Sequence, residues 1–123
     1  MSRGAEESEN MAVTPLTCLD EFENAIAQDK GVVVDFCATW AALCRAIDPV
    51  FERFSGLPEF AGRVGFYSVD LDEAFPIAQK AGVGPVPVFM AFCNGVKIGE
   101  VVAPDPGALH ELIGRACAAG ADA

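Results

Sequence analysis

Residues 31–36 read Gly-Val-Val-Val-Asp-Phe, a run of β-branched side chains with no apolar–polar alternation. A strand with that pattern is buried on both of its faces, so the chain must supply a covering layer on each side of it. The flanking segments have the right periodicity to do so. Leu19, Phe22 and Ile26 recur at helical spacing before the run, and Leu43, Ile47, Val50, Phe51 and Phe54 do so after it. Layers of helix on both sides of a sheet are the α/β architecture. Asp35 is the exception within the run, because a buried carboxylate is costly unless it is hydrogen-bonded, protonated or used.

The remaining elements follow from local signals. Residues 1–10 carry Glu6, Glu7 and Glu9 without periodicity and are predicted to be a disordered acidic tail. Residues 11–119 form the one domain, and 120–123 a short tail. Met11 to Pro15 is a short apolar start, and a helix begins at Thr17, which caps it with Asp20 three residues on. Pro49 falls inside the second helix and should bend it. Val64 to Asp70 reads as a strand, Asp72 to Ala81 as a short helix closed by Gly82, and Val86 to Phe92 as the next strand. Asn94-Gly95 predicts a type I′ hairpin into Lys97 to Val102. Asp105 caps a last helix that starts with Pro106 and buries Leu109, Leu112, Ile113 and Ala116. The order β-α-β-α-β-α-β-β-α implies a mixed sheet with helices on both faces, and ligands near the carboxyl end of a central strand.

A chain of 123 residues buries enough surface on folding to need no disulfide or metal staple. Its five cysteines include no C-x-x-C pair, which argues against a disulfide framework and a zinc site and favours a reducing compartment. Neither a metal nor a cofactor is expected. With 18 acidic against 8 basic residues, the net charge of −10 disfavours nucleic acid and anionic lipid as partners. Nothing reads as a signal peptide or a membrane span, so the expectation is a soluble, cytoplasmic monomer.

The stretch Val32-Val33-Val34-Asp35-Phe36-Cys37-Ala38-Thr39-Trp40-Ala41-Ala42-Leu43-Cys44-Arg45 resembles the active-site segment of thioredoxins, written in that family as Asp-Phe, a few residues, then Trp-Cys-Gly-Pro-Cys-Lys. Further matches run from Val13 to about Ala118. They include Val13-Thr14-Pro15-Leu16, Asp20-Glu21-Phe22, Pro49, Gly65-Phe66-Tyr67 before Val69-Asp70, Val86-Pro87 and Asn94-Gly95, in wording most like the fungal members. The resemblance implies a thioredoxin fold with Val86-Pro87 in the cis-proline position. It also implies a thiol–disulfide oxidoreductase in which one cysteine, activated at a helix N-terminus, attacks a target disulfide and a second resolves the mixed disulfide.

The departures from the family pattern fall at this chemistry. Ala41 stands at the attacking position, Cys44 at the resolving position and Asp35 at the buried acid. Ala42-Leu43 replace Gly-Pro, Cys37 replaces a tryptophan, Ser68 replaces the lysine that faces the acid, and Val88 follows the proline. Without that lysine, burial should push the Asp35 carboxyl up. A methyl group cannot attack sulfur, so dithiol reduction is absent or crippled as the motif is written. The leading reading is a binding protein that keeps a peptide or protein groove made by Trp40, Ala41, Ala42, Leu43, Gly84, Val86 and Pro87. One alternative is an active oxidoreductase carrying an introduced alanine for cysteine at position 41. Another is an enzyme using Cys44 and Asp35 on a small molecule. Cys37 and Cys44 are weighed as a relocated dithiol, with packing preferred. Cys18, Cys93 and Cys117 read as isolated thiols, the latter two expected at the surface. His110 reads as a surface or packed histidine.

Overall fold

In a computed structural model, which describes residues 12–122, the apolar run forms β2 (Gly31–Cys37), and every residue of it is buried. It sits third in a five-stranded sheet of order β1-β3-β2-β4-β5. β1 (Val13–Pro15) and β2 both run parallel to β3 (Val64–Asp70), while β4 (Val88–Cys93) is antiparallel to β2 and to β5 (Val96–Val102). The helices are α1 (Leu19–Ile26), α2 (Ala42–Ser55), α3 (Phe75–Ala81) and α4 (Pro106–Asp122). This is the expected mixed sheet and element order.

Strand alternation splits the core in two. Val32, Val34 and Phe36 pack with Phe22 of α1 and Ile77 of α3, whereas Val33 faces Phe51 of α2 and Leu109 and Ile113 of α4. Phe51 contacts Phe66 and Phe89 with ring centroids 5.5 and 5.1 Å apart. Gly31 starts β2 because nothing larger fits: a Cβ there would lie 1.9 Å from the backbone oxygen of Ala116 in α4. Asn94 (φ 56°) and Gly95 (φ 81°) provide the two positive φ values of the hairpin turn. Asp105 caps α4 through Oδ1, which accepts the Ala108 amide at 2.8 Å.

Several boundaries differ from the sequence expectation, each for a local reason. The N-cap of α1 is Cys18, not Thr17. Glu21 rather than Asp20 reaches back, its Oε1 accepting from the Thr17 amide at 2.7 Å and from the Thr17 hydroxyl at 3.0 Å. Residues 71–73 form a turn, with the Asp70 carboxylate accepting the Asp72 amide at 2.8 Å, Ala74 is the N-cap, and α3 starts only at Phe75, next to Pro76. β4 starts at Val88, since Pro87 has no amide to give to the ladder. α4 continues through residues 120–122, set apart from sequence as a tail, and Gly120 presses against Lys30 and Gly31. The acidic segment 1–10 lies outside the described residues. Among the described residues, no helix is long and apolar enough to cross a membrane.

Candidate functional site

The carboxyl end of β2, residues Asp35 to Cys37, runs through Ala38, Thr39 and Trp40 into the start of α2. Ala41 is the N-cap of that helix, with φ −88° and ψ 121°, and no side chain caps the helix. A methyl group can neither accept the free amides of the first turn nor carry a nucleophilic pair. One turn on, Cys44 is buried at 1% exposure, and its sulfur accepts the Ala38 amide at 3.5 Å. Trp40 and Leu43 flank the turn and stand out at 66% and 60% exposure. Ala42 is also exposed.

Across the turn, the Val86–Pro87 peptide bond is cis, with Pro87 buried, Val86 half-buried and Gly84 exposed. An apolar depression of about 190 Å³ lies beside it, lined by Leu43, Ile47, Val50, Pro87, Pro104 and Pro106 among others. Of the groove residues named from sequence, Leu43 and Pro87 line this depression. Ala103 and Pro104 of the β5–α4 connection and Pro106 at the start of α4 were missed, because only the tertiary fold brings them to α2.

On the inner side of the turn, Asp35 is 3% exposed, and its Oδ1 is buried without a hydrogen-bond partner. It faces Ser68 in the β2–β3 register, so no lysine answers it there. Burial holds its carboxyl well above the usual carboxylate range, and the adjacent Asp48 reinforces the shift first by hydrogen bonding and then by charge. Asp48 is the residue that sequence reasoning did not single out. The available signal was spacing: it sits four residues after Cys44, on the side of α2 that also buries Ile47 and Phe51. Cys37, two residues after Asp35 and on the same face of β2, donates its thiol to Asp48 Oδ1 at 3.5 Å. Burial and the nearby Asp35 push the Cys37 thiol far up, which keeps it from acting as a thiolate nucleophile at neutral pH.

No disulfide joins Cys37 and Cys44: both are free and buried, as is Cys93, which was expected at the surface but donates to Asp29 O at 3.4 Å. Cys18 is the exposed thiol, and Cys117 is half-buried. His110 lies away from the site, 3.2 Å from Glu59 Oε2 and packed against Phe54 and Phe60.

The sequence profile of the thioredoxin family matches residues 13–115. The chain is 45% identical over 101 residues to a thioredoxin of Malassezia sympodialis, covering 82% of this chain and 95% of that one. It is 43% identical over 101 residues to Thioredoxin-1 of Saccharomyces cerevisiae, with coverage of 82% and 95%. The crystal structure of the Malassezia sympodialis thioredoxin superposes with a TM-score of 0.81 at 43% identity, covering 85% of this chain and 90% of that one. With the sheet order, the turn into α2 and the proline beside it all in place, the chain belongs to the thioredoxin family.

Proposed function

We propose that this thioredoxin-family protein binds an extended peptide or protein segment across the surface formed by Trp40, Ala41, Ala42, Leu43, Gly84, Val86 and Pro87, without reducing disulfides by the two-thiol cycle. The observation that carries this reading is Ala41 at the N-cap of α2. In the two-thiol cycle, a thiolate at that position attacks one sulfur of the target and releases the other as a thiolate, and the second cysteine then attacks the mixed disulfide, closing a disulfide with the first and releasing the target's remaining sulfur as a thiolate. An alanine has no electron pair to begin the exchange. Cys44 is at 1% exposure, which disfavours both a lone-thiol role and its use with Asp35 on a small molecule. Recognition is served by what remains at the surface. Trp40 and Leu43 offer large exposed apolar faces, and the depression beside Leu43 and Pro87 suits an apolar side chain of the bound segment.

Insulin reduction with dithiothreitol as electron source tests the chemistry. The unaltered chain should give no turnover above the reagent alone, whereas Ala41→Cys should restore catalysis. Equal turnover by the two would overturn the reading. Trp40 is the only tryptophan, so its emission reports on binding directly. Titration with carboxymethylated insulin B chain should shift the emission saturably to the blue, and an unmoved spectrum at millimolar peptide would refute the groove.

A further inference from the structure

We propose that Asp35, Cys37 and Asp48 form a three-ligand site for one borderline-soft divalent metal ion of the zinc class, with a fourth position open to the adjoining cavity. The site is defined by geometry alone and is independent of peptide binding. One donor atom from each of the three residues lies within 4.8 Å of the other two. A tetrahedral zinc bound to a thiolate at ~2.3 Å and a carboxylate oxygen at ~2.0–2.2 Å holds those two donors roughly 3.6 Å apart. The Cys37 Sγ to Asp48 Oδ1 distance is 3.5 Å. Closing the remaining separations takes side-chain rotation of an ångström or so, which carboxylates allow.

A second observation supports a cation at these donors. Asp35 Oδ1 is buried with no hydrogen-bond partner, and Asp35, Cys37 and Asp48 all line a cavity of about 280 Å³. A buried polar oxygen left without a partner is costly, so a cation that bonds to it removes a penalty the folded chain otherwise carries. Among the described residues, neither carboxylate is in an ion pair. Arg45 also lines the cavity, but it donates to the Thr39 carbonyl at 2.9 Å.

The backbone explains why these three groups converge. Positions 35 and 37 of a strand point to one face, and α2 crosses that face with Asp48 one turn after Cys44. The lack of a C-x-x-C pair disfavours zinc sites built on paired cysteines, and this cluster needs only one. Its donor set selects the metal. A thiolate favours zinc, cobalt or cadmium over magnesium and calcium, which prefer oxygen alone. Three protein ligands with one position left to water is the arrangement of an open rather than a closed zinc site. Entry of the ion displaces the Cys37 thiol proton and the proton held by the carboxyl pair to solvent.

The test is titration of the reduced, chelator-treated full chain with Co²⁺, followed by competition with Zn²⁺. The expected result is one metal per chain, a thiolate-to-cobalt charge-transfer band in the near ultraviolet, displacement by Zn²⁺ and indifference to a large excess of Mg²⁺. Cys37→Ser should abolish the band. Asp48→Ala should weaken binding at least about tenfold. Cys93→Ser and Cys117→Ser should leave both unchanged. Circular dichroism confirms that each variant is folded, and the half-exposed Asp48 is the position whose loss threatens folding least. The proposal is overturned if folded chain takes up no stoichiometric Co²⁺, if the band survives Cys37→Ser, or if Asp48→Ala binds as tightly as the unaltered chain.

Discussion

Replacing Asp35 by asparagine should remove a fall in stability that the unaltered chain suffers as pH rises. The folded carboxyl is held well above its ordinary value of 3.8, first by burial, then by hydrogen bonding to Asp48 and by the charge of Asp48. In the unfolded chain, the same group titrates near its ordinary value. Between the two, the folded state holds a proton that the unfolded state has lost, so stability falls as pH rises through that window. Where the difference is one full proton, the slope is about 1.4 kcal/mol per pH unit. The introduced amide cannot titrate, and it can donate to Asp48, so Asp35→Asn keeps the shape of the site and removes the slope. The assay is urea unfolding of both proteins, with chelator present, at a series of pH values from mildly acidic to mildly alkaline, accepting points where the denaturant slope is unchanged. The unaltered chain should lose stability relative to the variant as pH rises, with the gap levelling off once Asp35 ionises in the folded state. Asp48→Ala should narrow the window by lowering the folded value. Parallel pH profiles for the unaltered chain and Asp35→Asn would show that Asp35 is ionised in the fold and would refute the reasoning.

Two glycines should respond in opposite ways to alanine. Gly31→Ala should abolish folding or cost several kcal/mol by denaturant unfolding, because its Cβ would lie 1.9 Å from Ala116 O and that atom belongs to backbone. Gly114→Ala, inside α4 with nothing within 4 Å of the added carbon, should stabilise by about 0.5–1 kcal/mol in the same assay. Asp105→Ala should cost about 1 kcal/mol, read as a lower urea midpoint, through loss of the 2.8 Å cap on the Ala108 amide.

Much of the fold is readable from local chemistry. The run Val32 to Phe36 demands cover on both faces, Asn94-Gly95 demands a tight hairpin, and Asp105-Pro106 demands a helix start, and none of these needs a distant partner. Boundaries were less readable where side chains compete for one backbone group. Thr17 and Cys18 are both adjacent to the first turn of α1, and only the reach of Glu21 back to Thr17 decides which residue caps it. In the same way, Asp70 turns residues 72–74 away from helix by accepting the Asp72 amide.

Which atoms the site has and lacks is written in the chain: Ala41 has no sulfur, Cys44 follows it by three residues, and Asp35 interrupts an apolar, β-branched run. Such facts are local, because a side chain's chemistry and its spacing along one helix or strand are set by the chain itself. What lies beside those atoms was decided only by the tertiary structure. Packing α2 over β2 brings Asp48 against Asp35 and Cys37, and folding the β5–α4 connection back brings Pro104 and Pro106 beside Leu43. Neither juxtaposition has a fixed separation along the chain. Each arises from helix-on-sheet packing that buries Phe51, Leu109 and Ile113 together, and the polar neighbours are carried into place by that burial.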